Sequence, residues 1–373
     1  MTAVMITLGI YSRTGGIEAY NRRIVRCLAE MSGKALRESH VTSLWDEPPD
    51  AASVPARVGF FPGSSNKFRT AAHFLQRVRT MRPDVVLYGH VMLTPLAVLA
   101  RTMSRRSRQV LFVYGTDVWG DPDYRNVPPY EIAAVRRCVD QVVTISGFTA
   151  VRMARTFRLP ESRFSFLPCA VDLRNGDSAK AASRTNRQPG TLLTVSRMGT
   201  KDRYKGIDRV ILALPQILRA IPRARYLVVG EGPLKPELMA LAERTGVSNR
   251  VEFLGHLDDA QLEETYASSD VFLMPSTGEG FGIVFLEAWK HRLPVICGNR
   301  DASSEVVTNN LNGLTVEPNE VRQIADAAIR LLSDEPLAAS LGENGYRTLI
   351  EKYSHAAFRT RLEAILLDQR CGF

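Results

Sequence analysis

Residues 271–288 read VFLMPSTGEGFGIVFLEA and contain the pattern that decides the fold. The apolar run Val271–Met274 predicts a buried strand, and the apolar spacing from Ile283 to Lys290 predicts a helix. Between them lies a glycine-rich turn, and the free backbone N–H groups at such a helix start attract phosphate. Glycine at positions 278, 280 and 282 allows a ligand to approach the backbone closely.

Two carboxylates flank this turn, Glu279 within it and Glu287 eight positions later. In a helix that separation corresponds to about 12 Å. The pair therefore predicts that one carboxylate contacts one end of an elongated ligand while the other binds the far end. The alternative that involves no ligand is a helix with two solvated glutamates.

The rest of the chain alternates short apolar runs with segments of helical periodicity, which predicts parallel, doubly wound sheets. The predicted strands are Val4–Ile10, Val85–Tyr88, Val110–Tyr114, Val142–Ile145, Phe164–Leu167, Leu192–Ser196, Tyr226–Val229, Val251–Leu254, Val271–Met274, Pro294–Cys297 and Leu314–Glu317. The predicted helices include Ile17–Met31, Thr94–Met103, Asp208–Ala220, Ile283–Lys290, Val321–Leu332 and Phe358–Leu367. Residues 174–190 are polar and without apolar periodicity, which is typical of a linker.

With its glycine turn, the Glu279–Glu287 pair resembles the paired-glutamate motif of retaining GT-B glycosyltransferases, in particular glycosyltransferase family 4. The resemblance covers nearly the whole chain and is most specific between residues 191 and 317. It implies an α/β fold with two Rossmann-like domains that face a cleft. Residues 1–173 would form the acceptor-binding domain and residues 191–353 the nucleotide-sugar domain. The C-terminal helix in residues 354–373 would cross back to the N-terminal domain.

The resemblance also implies roles for individual residues. Glu279 would contact hydroxyls of the transferred sugar, and Glu287 would accept hydrogen bonds from the ribose. The turn amides around Gly280, Phe281 and Gly282 would meet the sugar and the diphosphate.

Two cations complete the implied donor site. The pattern Ser-Arg…Lys-Gly at Ser196-Arg197 and Lys205-Gly206 matches the family's diphosphate-binding residues, and positive heads suit that group. In such enzymes the Gly15-Gly16 loop faces the donor diphosphate, although a plain strand–helix turn is the alternative. In the loop Gly115–Gly120, where the family often has a histidine near the sugar and the acceptor, Asp117 is the matching residue.

The implied reaction moves a hexose, with mannose or glucose favoured, from a nucleotide-diphosphate sugar such as GDP-mannose or UDP-glucose to a saccharide acceptor. The implied setting is bacterial polysaccharide synthesis on lipid-linked precursors. Retention at the anomeric carbon follows from the family likeness. We expect neither a metal nor another cofactor, because the positive charges of Arg197 and Lys205 can replace the charge of a metal.

Composition restricts the other possibilities. The 373 residues suit two domains. The five cysteines are scattered without a Cys-x-x-Cys pair, which argues against a disulfide framework or a zinc site and fits a reducing cytosol. The N-terminal apolar run predicts a first strand rather than a signal peptide, and no apolar run reaches the length of a membrane span.

Charge is distributed unevenly along the chain. Residues 1–180 contain 25 Lys and Arg against 15 Asp and Glu, a balance of +10, whereas residues 181–373 contain 23 against 24, a balance of −1; together they give the net charge of +9. The basic segments Lys67–Arg82 and Arg101–Arg108 adjoin apolar helical faces, and such surfaces bind anionic lipid. We therefore expect a cytoplasmic enzyme that is peripheral on the inner face of the cell membrane. A soluble enzyme whose arginines only aid solubility is the alternative.

Two other functions fit parts of the sequence. A GT-B sugar-nucleotide epimerase would share the nucleotide site and would convert its substrate without an acceptor. A nucleic-acid-binding protein would explain the basic half, but no aromatic platform or known binding motif accompanies the charge, so we expect no nucleic acid.

Overall fold

The computed structural model describes residues 1–12, 15–48, 53–122, 124–173 and 189–368. These residues form two compact units. The first contains residues 1–169 and the C-terminal segment from His355 onward, and the second contains Ala170–Ser354. The predicted domain boundaries at 173 and 353 lie close to these divisions. Residues 174–188 of the predicted linker lie outside the described part of the chain.

The first unit is built on a parallel seven-stranded sheet with the order β3-β2-β1-β4-β5-β6-β7. Its strands are β1 (Thr2–Thr7), β2 (Glu38–Ser43), β3 (Gly59–Pro62), β4 (Val85–Tyr88), β5 (Arg108–Val113), β6 (Gln141–Thr144) and β7 (Phe164–Phe166). Its helices are α1 (Gly16–Met31), α2 (Lys67–Met81), α3 (Pro95–Met103), α4 (Pro129–Cys138), α5 (Gly147–Phe157) and, at the C-terminus, α13 (His355–Leu366).

The second unit is built on a parallel six-stranded sheet with the order β10-β9-β8-β11-β12-β13. Its strands are β8 (Thr191–Val195), β9 (Arg225–Val229), β10 (Val251–Gly255), β11 (Val271–Met274), β12 (Val295–Gly298) and β13 (Leu314–Val316). Its helices are α6 (Ile207–Ala220), α7 (Lys235–Arg244), α8 (Asp259–Ser268), α9 (Ile283–Lys290), α10 (Ser303–Val306), α11 (Val321–Ser333) and α12 (Glu335–Tyr353).

These two sheets confirm the predicted α/β class with two doubly wound, Rossmann-like domains. In each unit the central strands are apolar and buried, as parallel strands covered by helices on both faces must be. Phe74 and Tyr88 contribute to the core of the first unit, and Leu214 and Leu273 to that of the second.

Two strands of the first unit were not predicted. β2 has the sequence ESHVTS, which lacks an apolar run, yet Thr42 and Ser43 are fully buried because β1 and β3 flank this strand on both sides. β3 has the sequence GFFP and precedes the basic segment Lys67–Arg82, where α2 begins at Lys67.

The C-terminal helix α13 belongs to the first unit, where it packs on α1. His355 Nε2 lies 3.0 Å from both carboxylate oxygens of Glu30, and Arg23 Nη1 lies 3.1 Å from His355 Nδ1. Because Arg23 can only donate, His355 Nδ1 accepts and Nε2 carries the proton. These contacts hold the first turn of α13 against α1.

Strand order reverses direction once in each sheet, between β1 and β4 and between β8 and β11. In open α/β sheets, ligands bind outside the carboxyl ends of the strands at this switch point. The loops after β8 and β11 are therefore where a ligand of the second unit is expected. Among the described residues, none of the helices combines the length and apolar character that crossing a bilayer requires.

Candidate active site

The switch point of the second sheet brings two of the predicted site residues into contact. Lys205 lies in the loop after β8, Glu279 lies in the loop after β11, and the two strands are neighbours. The Lys205 Nζ donates to Glu279 Oε1, and the side chains of this pair are only 15% and 9% exposed. A buried cation and a buried carboxylate therefore meet at the edge of the sheet where ligands bind.

The backbone holds these two loops together. The Thr277 N–H donates to the Tyr204 carbonyl at 2.8 Å. Gly206 adopts a left-handed conformation with φ 78°, and a Cβ at this position would lie 2.5 Å from the Pro275 carbonyl oxygen. Glycine is thus required at 206 both for its φ and for the close approach of the loops. This explains the Lys-Gly pair in the sequence motif.

The charge state of Lys205 follows from its surroundings. Burial lowers the pKa of the ammonium, but the charge of Glu279, its hydrogen bond and the nearby Tyr204 and Asp202 together raise the pKa by more, so the net direction is upward. Lys205 is therefore a fixed positive charge at neutral pH. A preorganised cation of this kind stabilises negative charge that develops on a ligand.

The glycine turn before α9 takes part through its backbone. Gly282 is the residue before the helix and has φ 88°, and a Cβ there would lie 2.3 Å from the Phe285 ring. Phe281 is a predicted donor-site residue, but its side chain is 3% exposed and packs edge-on against Tyr353 with ring centroids 5.5 Å apart. The aromatic ring of Phe281 is thus part of the core, so any ligand contact must come from its backbone.

The second glutamate lies in a separate network. Glu287 is on α9, where its Oε2 accepts a hydrogen bond from the Tyr266 hydroxyl of α8 at 2.9 Å. Burial raises the pKa of Glu287, and the hydrogen bond from Tyr266 partly offsets this rise. The estimate of about 12 Å between the two carboxylates assumed that both residues lie in one helix. This assumption was wrong, because α9 begins at Ile283 and Glu279 lies before it.

Arg197, the second predicted cation, is far more exposed to solvent than Lys205. Its side chain is 83% exposed, and its Nη2 lies 3.7 Å from Asp202 Oδ1. Asp202 Oδ2 in turn accepts from the Gly199 N–H at 3.0 Å. The guanidinium therefore stands at the surface of the loop after β8, where it can reorient towards an anion.

The predicted site residues of the first unit lie after β1 and β5. Asp117, in the loop after β5, is 7% exposed, and its Oδ1 accepts from the Tyr114 N–H at 3.1 Å. Its Oδ2 is buried and has no hydrogen-bond partner among the residues that the structure describes. Burial raises the pKa of the Asp117 carboxyl to about 6.

A neutral histidine lies next to this loop. His90 follows β4 and is stacked on the Tyr114 ring with centroids 6.4 Å apart. Burial lowers the pKa of His90 to about 4, and its Nδ1 accepts from the Met92 N–H at 3.2 Å. At neutral pH the proton is therefore on Nε2. His90 and Asp117 thus place a neutral imidazole and a titratable carboxyl at the carboxyl ends of neighbouring strands.

Gly15 and Gly16 stand at the start of α1, as predicted, but nearby acids already occupy backbone donors of this region. The Asp46 carboxylate is fully buried and accepts from the N–H groups of Ile10, Tyr11 and Ser12 at 2.7–2.9 Å. A Cβ on Gly15 would lie 2.4 Å from Glu18 Oε2, so the Glu18 carboxylate covers this glycine. Residues 13 and 14 lie outside the described part of the chain.

Three supporting residues were not identified from the sequence. Asp46 holds the loop after β1, Tyr266 holds Glu287, and Asp301 accepts from the Glu279 N–H at 2.7 Å. The only sequence signal for Asp301 is its place in the loop-to-helix junction Asn299–Ser304 after a buried strand. Asp46 and Tyr266 have no local motif, because their partners are distant in sequence.

The described residues contain one group with the ligand types of a metal site, formed by Cys27, Glu30 and His355. It lies between α1 and α13, outside the loops at the strand ends. Arg26 pairs with Glu30 at 3.0 Å and Arg23 contacts His355 at 3.1 Å, so positive charge already surrounds these atoms. Burial raises the pKa of the Cys27 thiol to about 12, which disfavours the thiolate that a metal binds.

Two arginines of the basic segment Arg101–Arg108 make ion pairs and hydrogen bonds within the first unit. Arg101 pairs with Asp140 and donates to the Cys138 carbonyl at 2.7 Å. Arg108 pairs with Asp368 and donates to the Ile365 carbonyl at 2.6 Å. Our expectation that the arginines of 101–108 all form one lipid-facing surface was therefore wrong for Arg101 and Arg108, which hold elements of the fold together.

Comparison with known proteins agrees with the geometry of both units. Residues 14–175 match the sequence profile described as Glycosyltransferase Family 4, and residues 177–348 match the profile described as Glycosyl transferases group 1. Together these two matches extend over most of the chain.

Two curated relatives are GDP-mannose-dependent mannosyltransferases. One, from Mycobacterium tuberculosis, is described as a GDP-mannose-dependent alpha-(1-6)-phosphatidylinositol monomannoside mannosyltransferase and is 34% identical over 67% of this chain and 68% of its own length. The other, from Corynebacterium glutamicum, is described as acting on a monoacylated form of that glycolipid and is 31% identical over 80% of this chain and 81% of its own.

Among solved structures, the Anabaena protein HepE in complex with UDP aligns with a TM-score of 0.76 and 18% identity, covering 99% of this chain and 100% of that one. That likeness concerns the fold. The glycosyltransferase relatives and the paired loops at the switch point together identify the class: the chain belongs to glycosyltransferase family 4. It is a hexosyltransferase.

Proposed function

We propose that this enzyme transfers a hexose from a nucleotide-diphosphate sugar, with GDP-mannose favoured over UDP-glucose, to a lipid-linked saccharide in bacterial polysaccharide or glycolipid synthesis. The observation that carries the proposal is the buried contact between Lys205 and Glu279 at the switch point of the second sheet. It supplies one charge for an anionic leaving group and one acceptor for sugar hydroxyls. The preference for mannose rests on the relatives, which are named as GDP-mannose-dependent enzymes.

In this proposal each side chain has a distinct part of the donor to bind. Glu287 accepts hydrogen bonds from the ribose hydroxyls, and Glu279 accepts from hydroxyls of the transferred hexose. Lys205, Arg197 and the amides of Gly280–Gly282 bind the diphosphate. Because the Arg197 side chain is 83% exposed, whereas Lys205 is held by Glu279, we expect Arg197 to become ordered when the diphosphate binds.

The chemical step is a transfer with retention at the anomeric carbon. The bond between the anomeric carbon and the phosphate oxygen breaks, and the electron pair stays on the diphosphate. The acceptor oxygen attacks the same face of the sugar, and its proton passes to the departing phosphate. Lys205 stabilises the charge that builds on that phosphate, so no metal is required. Asp117, whose Oδ2 has no hydrogen-bond partner among the described residues, is assigned to the acceptor side.

A panel of nucleotide sugars tests the proposal. The protein is incubated with GDP-mannose, UDP-glucose and related donors, each with and without a membrane glycolipid extract. We expect GDP release and a mannosylated lipid with GDP-mannose only when the extract is present. Conversion of a donor to its epimer without any acceptor would instead support an epimerase.

We also propose that the first unit docks on an anionic bilayer through the outward faces of α2 and α3. Phe68 of α2 is 89% exposed, and Val98, Leu99 and Met103 of α3 are exposed as well. Lys67 lies beside Phe68, and Arg105 and Arg106 follow α3; these three cations are all exposed. Exposed apolar side chains next to cations bind anionic lipid by partial insertion and Coulomb attraction. A lipid-linked acceptor lies at such a surface.

Co-sedimentation with vesicles tests the docking. Replacement of Arg105 and Arg106 by Ser removes two cations, at about 1 kcal/mol each, and should weaken binding to anionic vesicles about thirtyfold. The matched control replaces Arg219 and Arg223, two exposed arginines of the second unit, and should bind like the wild type. Equal recovery of the wild-type protein with neutral and anionic vesicles at low salt would contradict docking.

A further inference from the structure

One buried carboxylate near the donor site has no role in the chemistry proposed above. Asp301 follows β12 and is 3% exposed. Its Oδ2 accepts from the Glu279 N–H at 2.7 Å and from the Ser276 hydroxyl at 2.5 Å. Its Oδ1 accepts from the Ser303 N–H at 2.9 Å. One carboxylate thus accepts from three donors, two in the loop after β11 and one at the start of α10.

The same segment also contacts the other backbone group of Glu279. The Ala302 N–H donates to the Glu279 carbonyl at 3.2 Å. The N–H of Glu279 is therefore bonded to residue 301 and its C=O to residue 302. The Glu279 carboxylate accepts a hydrogen bond from Lys205, which lies in the loop after β8. β12 lies beside β11 in the sheet, which brings the two loops together. Glu279 is therefore fixed at its backbone by one loop and at its side chain by another.

We propose that Asp301 is the positioning residue for Glu279 and sets the orientation in which this glutamate receives the transferred sugar. The inference rests on the proposed function, in which Glu279 binds sugar hydroxyls. Asp301 does not touch the donor, because its oxygens are buried and engaged. Its effect is confined to the sugar end of the ligand, since Glu287 and its partner Tyr266 form a separate network on α8 and α9.

Replacement of Asp301 by Asn is a sharp test because it keeps the shape of the side chain. An amide offers one acceptor oxygen instead of two. If that oxygen stays with Ser303, the –NH₂ group faces the Glu279 N–H, and two donors cannot bond to each other. If the amide flips, Ser303 loses its acceptor instead, at a comparable cost. Either orientation weakens the connection between the two loops.

The readout is the affinity for GDP-mannose relative to that for GDP, measured by titration calorimetry. A merely structural role would lower both affinities together, whereas a positioning role lowers only the affinity for the sugar-bearing nucleotide. We expect Asp301→Asn to bind GDP-mannose about tenfold more weakly and GDP within twofold of the wild type. Asp301→Ala, which leaves a space that water can enter, provides the same test if the Asn variant does not fold.

The matched control is Asp270→Asn. Asp270 precedes β11 at the opposite end of the same strand, and its carboxylate accepts from the Gly190 and Thr191 N–H groups at 2.7 and 2.9 Å. It should lose stability comparably and keep the wild-type affinity ratio. Glu279→Gln is measured in parallel. If Glu279→Gln lowers the affinity for GDP-mannose relative to that for GDP but folded Asp301→Asn leaves this ratio unchanged, the inference is overturned. An unchanged ratio in Glu279→Gln overturns the sugar-binding role itself.

Discussion

The contact between Lys205 and Glu279 predicts a specific pattern of stability in the protein without ligand. Lys205→Met leaves the Glu279 carboxylate buried without its cation. Breaking a buried pair by removing one partner costs roughly 3–5 kcal/mol. Because the two side chains retain 15% and 9% exposure, we take the lower end and expect the free energy of unfolding to fall by about 3 kcal/mol.

A second substitution separates the ion pair from simple loss of packing. Glu279→Gln, added to Lys205→Met, removes the charge that the first substitution leaves unpaired. The double variant should therefore be at least about 1 kcal/mol more stable than Lys205→Met alone, since contacting residues are not additive. The reason is purely electrostatic, because Gln has nearly the volume of Glu.

Urea unfolding followed by tryptophan fluorescence measures these values. The three tryptophans are Trp45 and Trp119 in the first unit and Trp289 in the second. In a background with Phe at 45 and 119, the fully buried Trp289 reports on the second unit alone. Additive effects of the two substitutions, or a double variant less stable than Lys205→Met, would refute the interpretation of this contact as a buried ion pair.

Three further predictions concern the acceptor side, the ribose site and the membrane surface. Burial raises the pKa of the Asp117 carboxyl to about 6 in the folded protein. The stability that this raised pKa contributes is present at pH values below the pKa of the unfolded chain and is lost as the pH rises through 6. Asp117→Asn does not titrate, so its free energy of unfolding relative to that of the wild type should rise by about 2 kcal/mol between pH 4 and pH 7, and its turnover should fall. A difference in the free energy of unfolding that stays constant from pH 4 to pH 7 would contradict this. Glu287→Gln should weaken nucleotide binding by roughly 1–3 kcal/mol without unfolding, because Gln can still accept from Tyr266, whereas the exposed control Glu264→Gln should bind normally in calorimetry. Phe68→Ser should reduce vesicle binding at both low and high salt, unlike the arginine variants, whose effect should disappear at high salt in the same sedimentation assay.

The sequence predicted the second unit more accurately than the first. The bounds of β11 and α9 match the prediction, because four consecutive apolar residues and a helical apolar period mark them directly. β2 was missed, since Ser39, Thr42 and Ser43 are buried by neighbouring strands rather than by their own hydrophobicity. Helix α8 was missed because Tyr266 is its one buried residue, which leaves little periodicity to detect.

The site was predictable to the extent that its residues are local in sequence. Glu279, Glu287 and the glycines form one motif, and Lys205-Gly206 forms another. What brings Lys205 to Glu279 is the adjacency of β8 and β11, which follows from sheet order rather than from spacing along the chain. The burial of the Phe281 ring against Tyr353, which is 72 residues away in sequence, could not be inferred from the motif. The same is true of the three donors that converge on Asp301.

The central claim is that the loops at the switch point of the second unit transfer a hexose from a nucleotide sugar with retention and without a metal. The most direct measurement is the NMR signal of the anomeric position in the product formed from GDP-mannose and a glycolipid acceptor in the presence of a chelator. We predict an α-linked mannoside formed at an unchanged rate. A β-linked product would contradict the paired-glutamate mechanism, and loss of activity that added metal restores would contradict the role assigned to Lys205 and Arg197.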